Sequence, residues 1–195
     1  MQQGLLREDE LGGNVMISPM LVQIPTNQFE LAVFPNRLQM SFRGPKPGAK
    51  EDLTRVLGGT AKLLPHTPFS ACGLNFNYLA TVGQDAYAAW SRRLFDCDAA
   101  RRACANDRDD ARYGTYFSFD CLGGRLKVDA KPTRTSDSVK DIAPDWEADV
   151  EVVRISLNYH FECKEPPLSM RVISILEKWQ DVALHSYTIA SAFGA

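Results

Sequence analysis

The chain has 195 residues, which is enough to bury a core without a disulfide or a metal ion to hold it together. Its 22 Lys and Arg residues nearly balance 24 Asp and Glu residues, so the formal net charge is only -2, and the two signs are interspersed. Such a balance provides no extended field to attract nucleic acid or anionic lipid. The composition therefore argues against nucleic acid and membrane surfaces as partners.

The cysteines and the first residues bear on the cellular compartment. There are five cysteines without compact spacing, which is typical of a reducing environment. They are Cys72, Cys97, Cys104, Cys121 and Cys163. Residues 1–14 are acidic and lack the basic start and apolar run of a secretory signal, and no window approaches the roughly eighteen apolar residues of a transmembrane helix. We expect a soluble, cytoplasmic protein.

The N-terminal part of the chain predicts a flexible arm followed by short strands. Residues 1–12 carry Gln, Glu and Asp and end at glycine, which favours an arm. Two short apolar runs, 15–17 and 21–24, are each closed by a proline, so they suit edge strands. Residues 29–42 contain two β-prone runs joined by Pro35-Asn36, and these predict a hairpin with that pair in its turn.

A helix, a strand and a second helix are expected next. Residues 49–57 place their apolar side chains on one helical face, and Gly58-Gly59 is expected to cap the C-terminus of this helix. Residues 69–81 have an apolar side chain at every second position from Cys72 to Tyr78, which predicts a strand. A helix is expected over residues 86–95.

The middle of the chain predicts a hairpin between two polar segments. Residues 96–112 carry both charges densely and few large apolar side chains, which indicates a solvated loop. The strand period returns at Tyr113, and Gly123-Gly124 is expected to form the turn into a strand over residues 125–130. Residues 131–149 are rich in Pro, Thr, Ser and Asp and predict a long polar loop.

The clearest strand signal covers residues 153–163. Every second side chain from Val153 to Cys163 is apolar, and the side chains between them are polar, as in a strand with one buried face. After Pro166-Pro167, an apolar stripe at helical spacing predicts a helix from Met170 to about Tyr187. The last seven residues are small and mildly apolar, and a disordered end is the expected outcome there.

One pattern of residue types occurs twice and bears on the fold class. The order Leu-Asn-aromatic-x-aromatic appears at residues 74–78 and 157–161, each time in a predicted strand that precedes a helix with a central tryptophan. The patterns together predict a single α+β domain with a mostly antiparallel sheet and about three helices packed on one side. Two duplicated ββαβα-like halves, 14–95 and 113–187, would explain this repetition, and the two predicted strands that carry it are called the echo strands below. Chance similarity between alternating strands is the other explanation.

The candidate binding residues lie on the non-core face of these two echo strands. They are Asn75, Asn77, Asn158 and His160. Asn is depleted in strands, so its repeated presence is unusual, and His160 next to Glu162 has the residue types of an acid–base pair. The alternative is an ordinary solvated face whose polar groups bond to one another or to water, and we favour this interpretation.

No catalytic residue, metal site or cofactor is predicted. Cys97 and Cys104 flank two arginines but lack the closely spaced ligand pairs of a zinc site. The sequence contains no nucleotide-binding glycine loop, no serine-hydrolase elbow and no zinc-protease motif.

Protein binding is the function that these features favour. A sheet with helices on one side leaves its second face and its edges available to another chain. We therefore predict a non-catalytic subunit, adaptor or accessory component of an intracellular assembly, with a protein partner or a homo-oligomer. The succession of antiparallel strands and a terminal amphipathic helix is similar in layout to SecB-like export chaperones, and this resemblance implies the holding of apolar segments. A third hypothesis is an enzyme with a small-molecule site around Asn75, Asn77 and His160.

Overall fold

The computed structural model describes residues 4–42, 44, 46–81, 114–134 and 151–194. In these ranges the strands form two antiparallel sheets of four strands each, together with helices, which confirms the predicted α+β class. The chain divides into two compact units. Unit 1 comprises Met1–Cys72 and Glu162–Gln180, and unit 2 comprises Gly73–Phe161 and Asp181–Ala195. In the described ranges no helix is both long and apolar enough to span a bilayer.

The first sheet lies in unit 1, with strand order β1-β2-β3-β4. Its strands are β1 Met16–Ile17, β2 Val22–Pro25, β3 Glu30–Phe34 and β4 Arg37–Ser41. Phe34 pairs with Arg37, which leaves Pro35-Asn36 as a two-residue turn. The predicted hairpin and both short strands are therefore confirmed. The expected edge position is wrong for β2, because β2 pairs with β1 on one side and with β3 on the other. The core of this unit is built around Phe29, Leu31 and Val56.

A continuous helical segment follows in unit 1. It consists of α1 Ala49–Leu53, a π-helical turn Thr54–Gly58 and α2 Gly59–Leu63. The prediction that Gly58-Gly59 caps the helix is wrong, because these glycines have helical φ values of -65° and -62°. Gly59 permits a close approach instead, since a Cβ there would lie 2.4 Å from Leu5 Cδ2. The helix ends just before Pro65, as expected of a residue that disfavours helical geometry in its neighbour.

Residues 4–12, which belong to the arm predicted at 1–12, contact the rest of unit 1. Glu8–Glu10 form a turn of 3-10 helix, and the backbone N–H of Gly12 donates to the Pro25 carbonyl. Arg55 donates to the carbonyl of Leu5 at 2.6 Å and to Glu10 Oε1 at 2.7 Å. The same guanidinium also donates to Asp52. One arginine of the π-helical turn therefore anchors the described part of the N-terminal segment.

The second sheet has strand order β5-β8-β7-β6. Its strands are β5 Ala71–Thr81, β6 Thr115–Cys121, β7 Gly124–Arg134 and β8 Glu151–Glu162. Strand β8 is central, and its apolar side chains from Val153 to Phe161 are at most 1% exposed. The strands predicted at 69–81 and 153–163 are therefore confirmed. Because β7 continues through Arg134, residues 131–134 of the expected polar loop are strand, and 135–149 lie outside the described residues.

The turn between β6 and β7 is shifted by one residue from its predicted position. Cys121 pairs with Gly124, so Leu122 and Gly123 form the turn, with φ values of 51° and 79°. Positive φ at both positions is the type I′ geometry that matches the twist of a hairpin. The prediction of Gly123-Gly124 is wrong because Gly124 belongs to β7, where a Cβ would lie 2.6 Å from the Phe161 ring.

The C-terminal helical region consists of two helices, α3 Leu168–Glu177 and α4 Trp179–Gly194. Lys178 separates them with a ψ of 1°, which corrects the single helix predicted from Met170 to Tyr187. Helix α4 also continues through the last residues, where a disordered end was expected. The helix predicted at 86–95 and the loop predicted at 96–112 lie outside the described residues.

Replacing Glu10 with Gln tests the contacts of the N-terminal segment. The backbone N–H of Arg7 lowers the pKa of Glu10; burial raises it, and Arg55 lowers it further, so the net pKa lies below 4.5. The ionised carboxylate therefore stabilises the fold above pH 4.5, and this contribution is lost as the pH falls through the folded-state pKa. We expect Glu10→Gln to lower the free energy of unfolding by about 1 kcal/mol at pH 7 and by much less in acid. Urea unfolding across this pH range, with exposed Glu8→Gln as control, measures both values. Equal losses for the two variants at every pH would contradict the anchoring role.

Two glycine substitutions in unit 2 form a matched pair. A Cβ on Gly124 would meet the ring of buried Phe161, whereas a Cβ on Gly73 of β5 would have its nearest neighbours at 3.9 Å. We expect Gly124→Ala to lower the free energy of unfolding by about 1–3 kcal/mol through overpacking. Gly73→Ala is expected to be neutral or stabilising, because alanine restricts the unfolded chain. Denaturant unfolding of both variants measures this, and equal stability of the two would be incompatible with the packing of Gly124.

Candidate functional site

The two echo strands, β5 and β8, are neighbours in the second sheet, and their amides bond across the strand boundary. Asn158 Nδ2 donates to Asn75 Oδ1, and Ser156 Oγ donates to Asn77 Oδ1 at 2.8 Å. The structure therefore brings three of the four predicted residues together on one exposed sheet surface. These two bonds also set the register of β5 against β8, so that the next pair on this surface is His160 and Gly73.

The polar face, defined as the side of the second sheet that carries Asn75 and Asn158, extends over all four strands. Pairing of β6 with β7 and of β7 with β8 aligns its residues in rows. The rows are Asp120, Arg125, His160 and Gly73; Ser118, Lys127, Asn158 and Asn75; and Tyr116, Asp129, Ser156 and Asn77. A single surface thus combines amides, hydroxyls and both charges.

His160 is exposed, and neither of its neighbours in the row forms a described bond to it. Arg125 turns towards β6, where its Nε donates to Ser118 Oγ at 2.7 Å and its Nη1 contacts Asp120 Oδ1 at 3.0 Å. Gly73 on the other side has no side chain. Within the described part of the chain, neither His160 nor its diagonal neighbour Lys127 makes a side-chain hydrogen bond or an ion pair. These two side chains are therefore the ones available to a ligand on the polar face.

Most of the polar face is already paired within the protein. Asn75 and Asn77 accept hydrogen bonds from β8, and exposed ion pairs join Arg125 to Asp120 and Lys131 to Asp129. Ion pairs of this kind in contact with water contribute little to stability. The arrangement agrees with the solvated face that the sequence favoured, since the amides satisfy one another. It adds no geometry that positions His160 as an acid or base.

The side chains behind the polar face have structural contacts. Tyr159 Oη lies 2.8 Å from Nδ1 of His185, and Tyr78 Oη lies 2.6 Å from Oγ of the buried Ser186, so both tyrosines attach α4 to the sheet. Burial raises the pKa of Tyr159, and the neighbouring Cys121 and Tyr78 add to this shift. The phenol therefore stays protonated and serves as a hydrogen-bonding group.

The described cysteines do not form a reactive site. Burial raises the pKa of Cys72 to about 12, with a further contribution from Cys163, and a protonated thiol is a weak nucleophile. No cluster of three or more His, Cys, Asp or Glu side chains suited to a metal ion occurs among the described residues. Cys97 and Cys104 lie outside the described residues.

A second surface, which sequence reasoning did not identify, is the outer strand β6. It lies at one edge of the second sheet and exposes three aromatic side chains: Tyr116 at 61%, Phe117 at 37% and Phe119 at 39%. The rings of Phe117 and Phe119 stack with centroids 6.1 Å apart. From Thr115 to Phe119 the strand contains no charge and no proline. In the part of the chain that the structure describes, such an edge lacks the usual protection against pairing with another chain.

The other edge strands of the described sheets are better protected. Strand β1 is only two residues long, and β4 begins with Arg37. On β5, Leu74 is buried, and Tyr78 contacts α4 through the ring of Tyr187 and the hydroxyl of Ser186. Strand β6 is therefore the described edge that combines length, exposed aromatic side chains and an uncharged backbone run. The alternation of side chains along β6 is visible in the sequence. Its edge position is not, because it depends on β6 having β7 as its one neighbour among the described strands.

Comparison with known proteins adds no functional assignment. No protein-family model, no curated protein and no solved structure matches this chain significantly. The function is therefore argued from the two surfaces of unit 2.

Proposed function

We propose that the chain is a non-catalytic protein-binding domain, a subunit, adaptor or accessory component of a larger assembly, and that it binds through strand β6. The observation that carries this proposal is the proline-free edge, uncharged from Thr115 to Phe119, with Tyr116, Phe117 and Phe119 exposed. Exposed edge strands bind peptides by adding a strand to the sheet.

Strand addition at β6 would have two favourable effects on binding. The outward backbone N–H and C=O groups of an edge strand gain partners from the incoming strand. The stacked rings of Phe117 and Phe119 would be removed from water, and aromatic side chains are enriched among residues that dominate binding energy. A binding site formed by a single strand favours one defined partner protein over the many unfolded chains that a chaperone would hold.

A photo-crosslinker at position 119 tests this proposal directly. Replacing Phe119 with p-benzoylphenylalanine keeps an aromatic side chain on the exposed edge, and Leu184 of α4, at 68% exposure, provides the matched control position in the same unit. In cells that express the protein at its native level, we expect a discrete protein adduct from position 119 and none from position 184. Gel electrophoresis and mass spectrometry identify it. No adduct from 119, or the same adducts from both positions, would contradict binding at β6.

A small-molecule site near His160 is a second candidate, favoured by the exposure of its imidazole and by Lys127, which is unpaired among the described residues. An imidazole and an ammonium group on neighbouring strands offer N–H donors to an anionic ligand such as a carboxylate or a phosphate. This candidate corresponds to the enzyme hypothesis only if the bound molecule is also transformed.

A thermal-shift screen with anionic metabolites tests this second site. A ligand at about 100 times its Kd would stabilise the wild-type fold by about 2.7 kcal/mol, and His160→Ala and Lys127→Ala would each remove most of this gain. Lys131→Ala is the matched control, because Lys131 lies on the same face but is paired with Asp129. Stabilisation that all three variants retain would place the ligand elsewhere.

A further inference from the structure

Strand β6 is complementary to itself, and this points to the identity of its partner. If two β6 strands pair antiparallel about Ser118, Phe117 of each copy lies opposite Phe119 of the other. Directly opposed residues of an antiparallel pair share a face, and the intrachain pairs of Phe117 with Val128 and of Phe119 with Leu126 show that both rings lie on the apolar face. The apolar faces of the two sheets would therefore be continuous.

The polar side of the same pairing is also complementary. Tyr116 would lie opposite Asp120 of the second copy, which places a phenol donor against a carboxylate acceptor. Asp120 is the only charged residue of β6, so no like charges would be opposed. Opposed like charges across strands are destabilising, and their absence is a condition for self-pairing.

Other registers fit less well. Pairing about Phe117 would place Phe119 opposite Thr115, and pairing about Phe119 would place Phe117 opposite Cys121. In each of these registers one pair of phenylalanine side chains is opposed between the two copies, whereas pairing about Ser118 opposes two such pairs. A slip by a single residue would oppose Phe117 to Ser118 and mix the apolar with the polar face, which the alternation of side chains forbids.

We infer that the partner at β6 is a second copy of this chain, joined by antiparallel β6 strands centred on Ser118 into a continuous eight-stranded sheet. This inference rests on the proposed function, since it names the partner for the same edge. The formal net charge of -2 opposes such self-association only weakly. A seven-residue strand buries less than the roughly 800 Å² per partner of a standard interface, so we expect a weak dimer.

Sedimentation velocity of the full chain between about 1 and 200 μM tests the inference. We expect the mass to rise from the monomer value of 21.7 kDa towards twice that value over this range. Opposite charges at one exposed position then test the register. Tyr116→Lys would face Asp120 of the second copy and retain or tighten the dimer, whereas Tyr116→Asp would oppose two carboxylates and weaken it about tenfold.

A rescue variant separates the interface from effects within the chain. Residue 116 also pairs with Asp129 of β7 in the same chain, so Tyr116→Asp creates repulsion there as well. Adding Asp120→Asn removes the repulsion across the interface and also the exposed ion pair of Asp120 with Arg125 in the same chain. We expect the double variant to recover dimerisation, with Asp120→Asn alone as the control for loss of that ion pair and thermal unfolding as the measure of the repulsion from Asp129. Failure of this rescue, or a dimer that both substitutions at position 116 leave unchanged, overturns pairing at β6.

The outcomes also distinguish this inference from the proposed function. A wild-type chain that stays monomeric to about 200 μM while position 119 crosslinks to a different protein refutes self-pairing and leaves protein binding at β6 intact. A monomer without any adduct from position 119 refutes both.

Discussion

The alternation of side chains along β8 is the constraint on which the rest of the second sheet depends. Its apolar residues are almost completely buried, and the strand is paired on both sides, with β5 and with β7. A slip of one residue in either pairing would turn the core residues to the solvent and the polar residues to the core. The burial of one strand therefore decides which face of all four strands is polar.

The same constraint determines which edges remain open. With β8 and β7 in the centre, β5 and β6 lie at the two edges of the sheet. Tyr78 of β5 is bonded to Ser186 and contacts Tyr187, so α4 covers part of that edge strand. Within the described ranges no comparable contact shields the rings of Phe117 and Phe119, which remain more than one-third exposed. The open edge thus follows from strand order and from the position of one helix.

The features predictable from the sequence are those that depend on local patterns. The strand at 153–163 and the turn at Pro35-Asn36 are each determined by residues that are adjacent in the chain. Both predictions are confirmed. The sequence pattern misassigns Gly59 and Gly124 because each lies close to a residue that is distant in the chain, Leu5 in one case and Phe161 in the other. The pairing of Asn75 with Asn158 was foreseen as one alternative, but the edge position of β6 depends on non-local strand order, which no local pattern encodes.

The two surfaces of unit 2 differ in what binding would have to displace. On the polar face, a ligand competes with bonds that already exist between Asn75 and Asn158 and between Arg125 and Asp120. Breaking such bonds offsets much of the gain from new ones, because a net hydrogen bond contributes only about 1 kcal/mol. At β6 an incoming strand gains backbone partners and covers aromatic rings, and on the outer side of β6 it meets no other strand of the described residues. This difference is the physical reason to assign binding to the edge of the sheet rather than to its polar face.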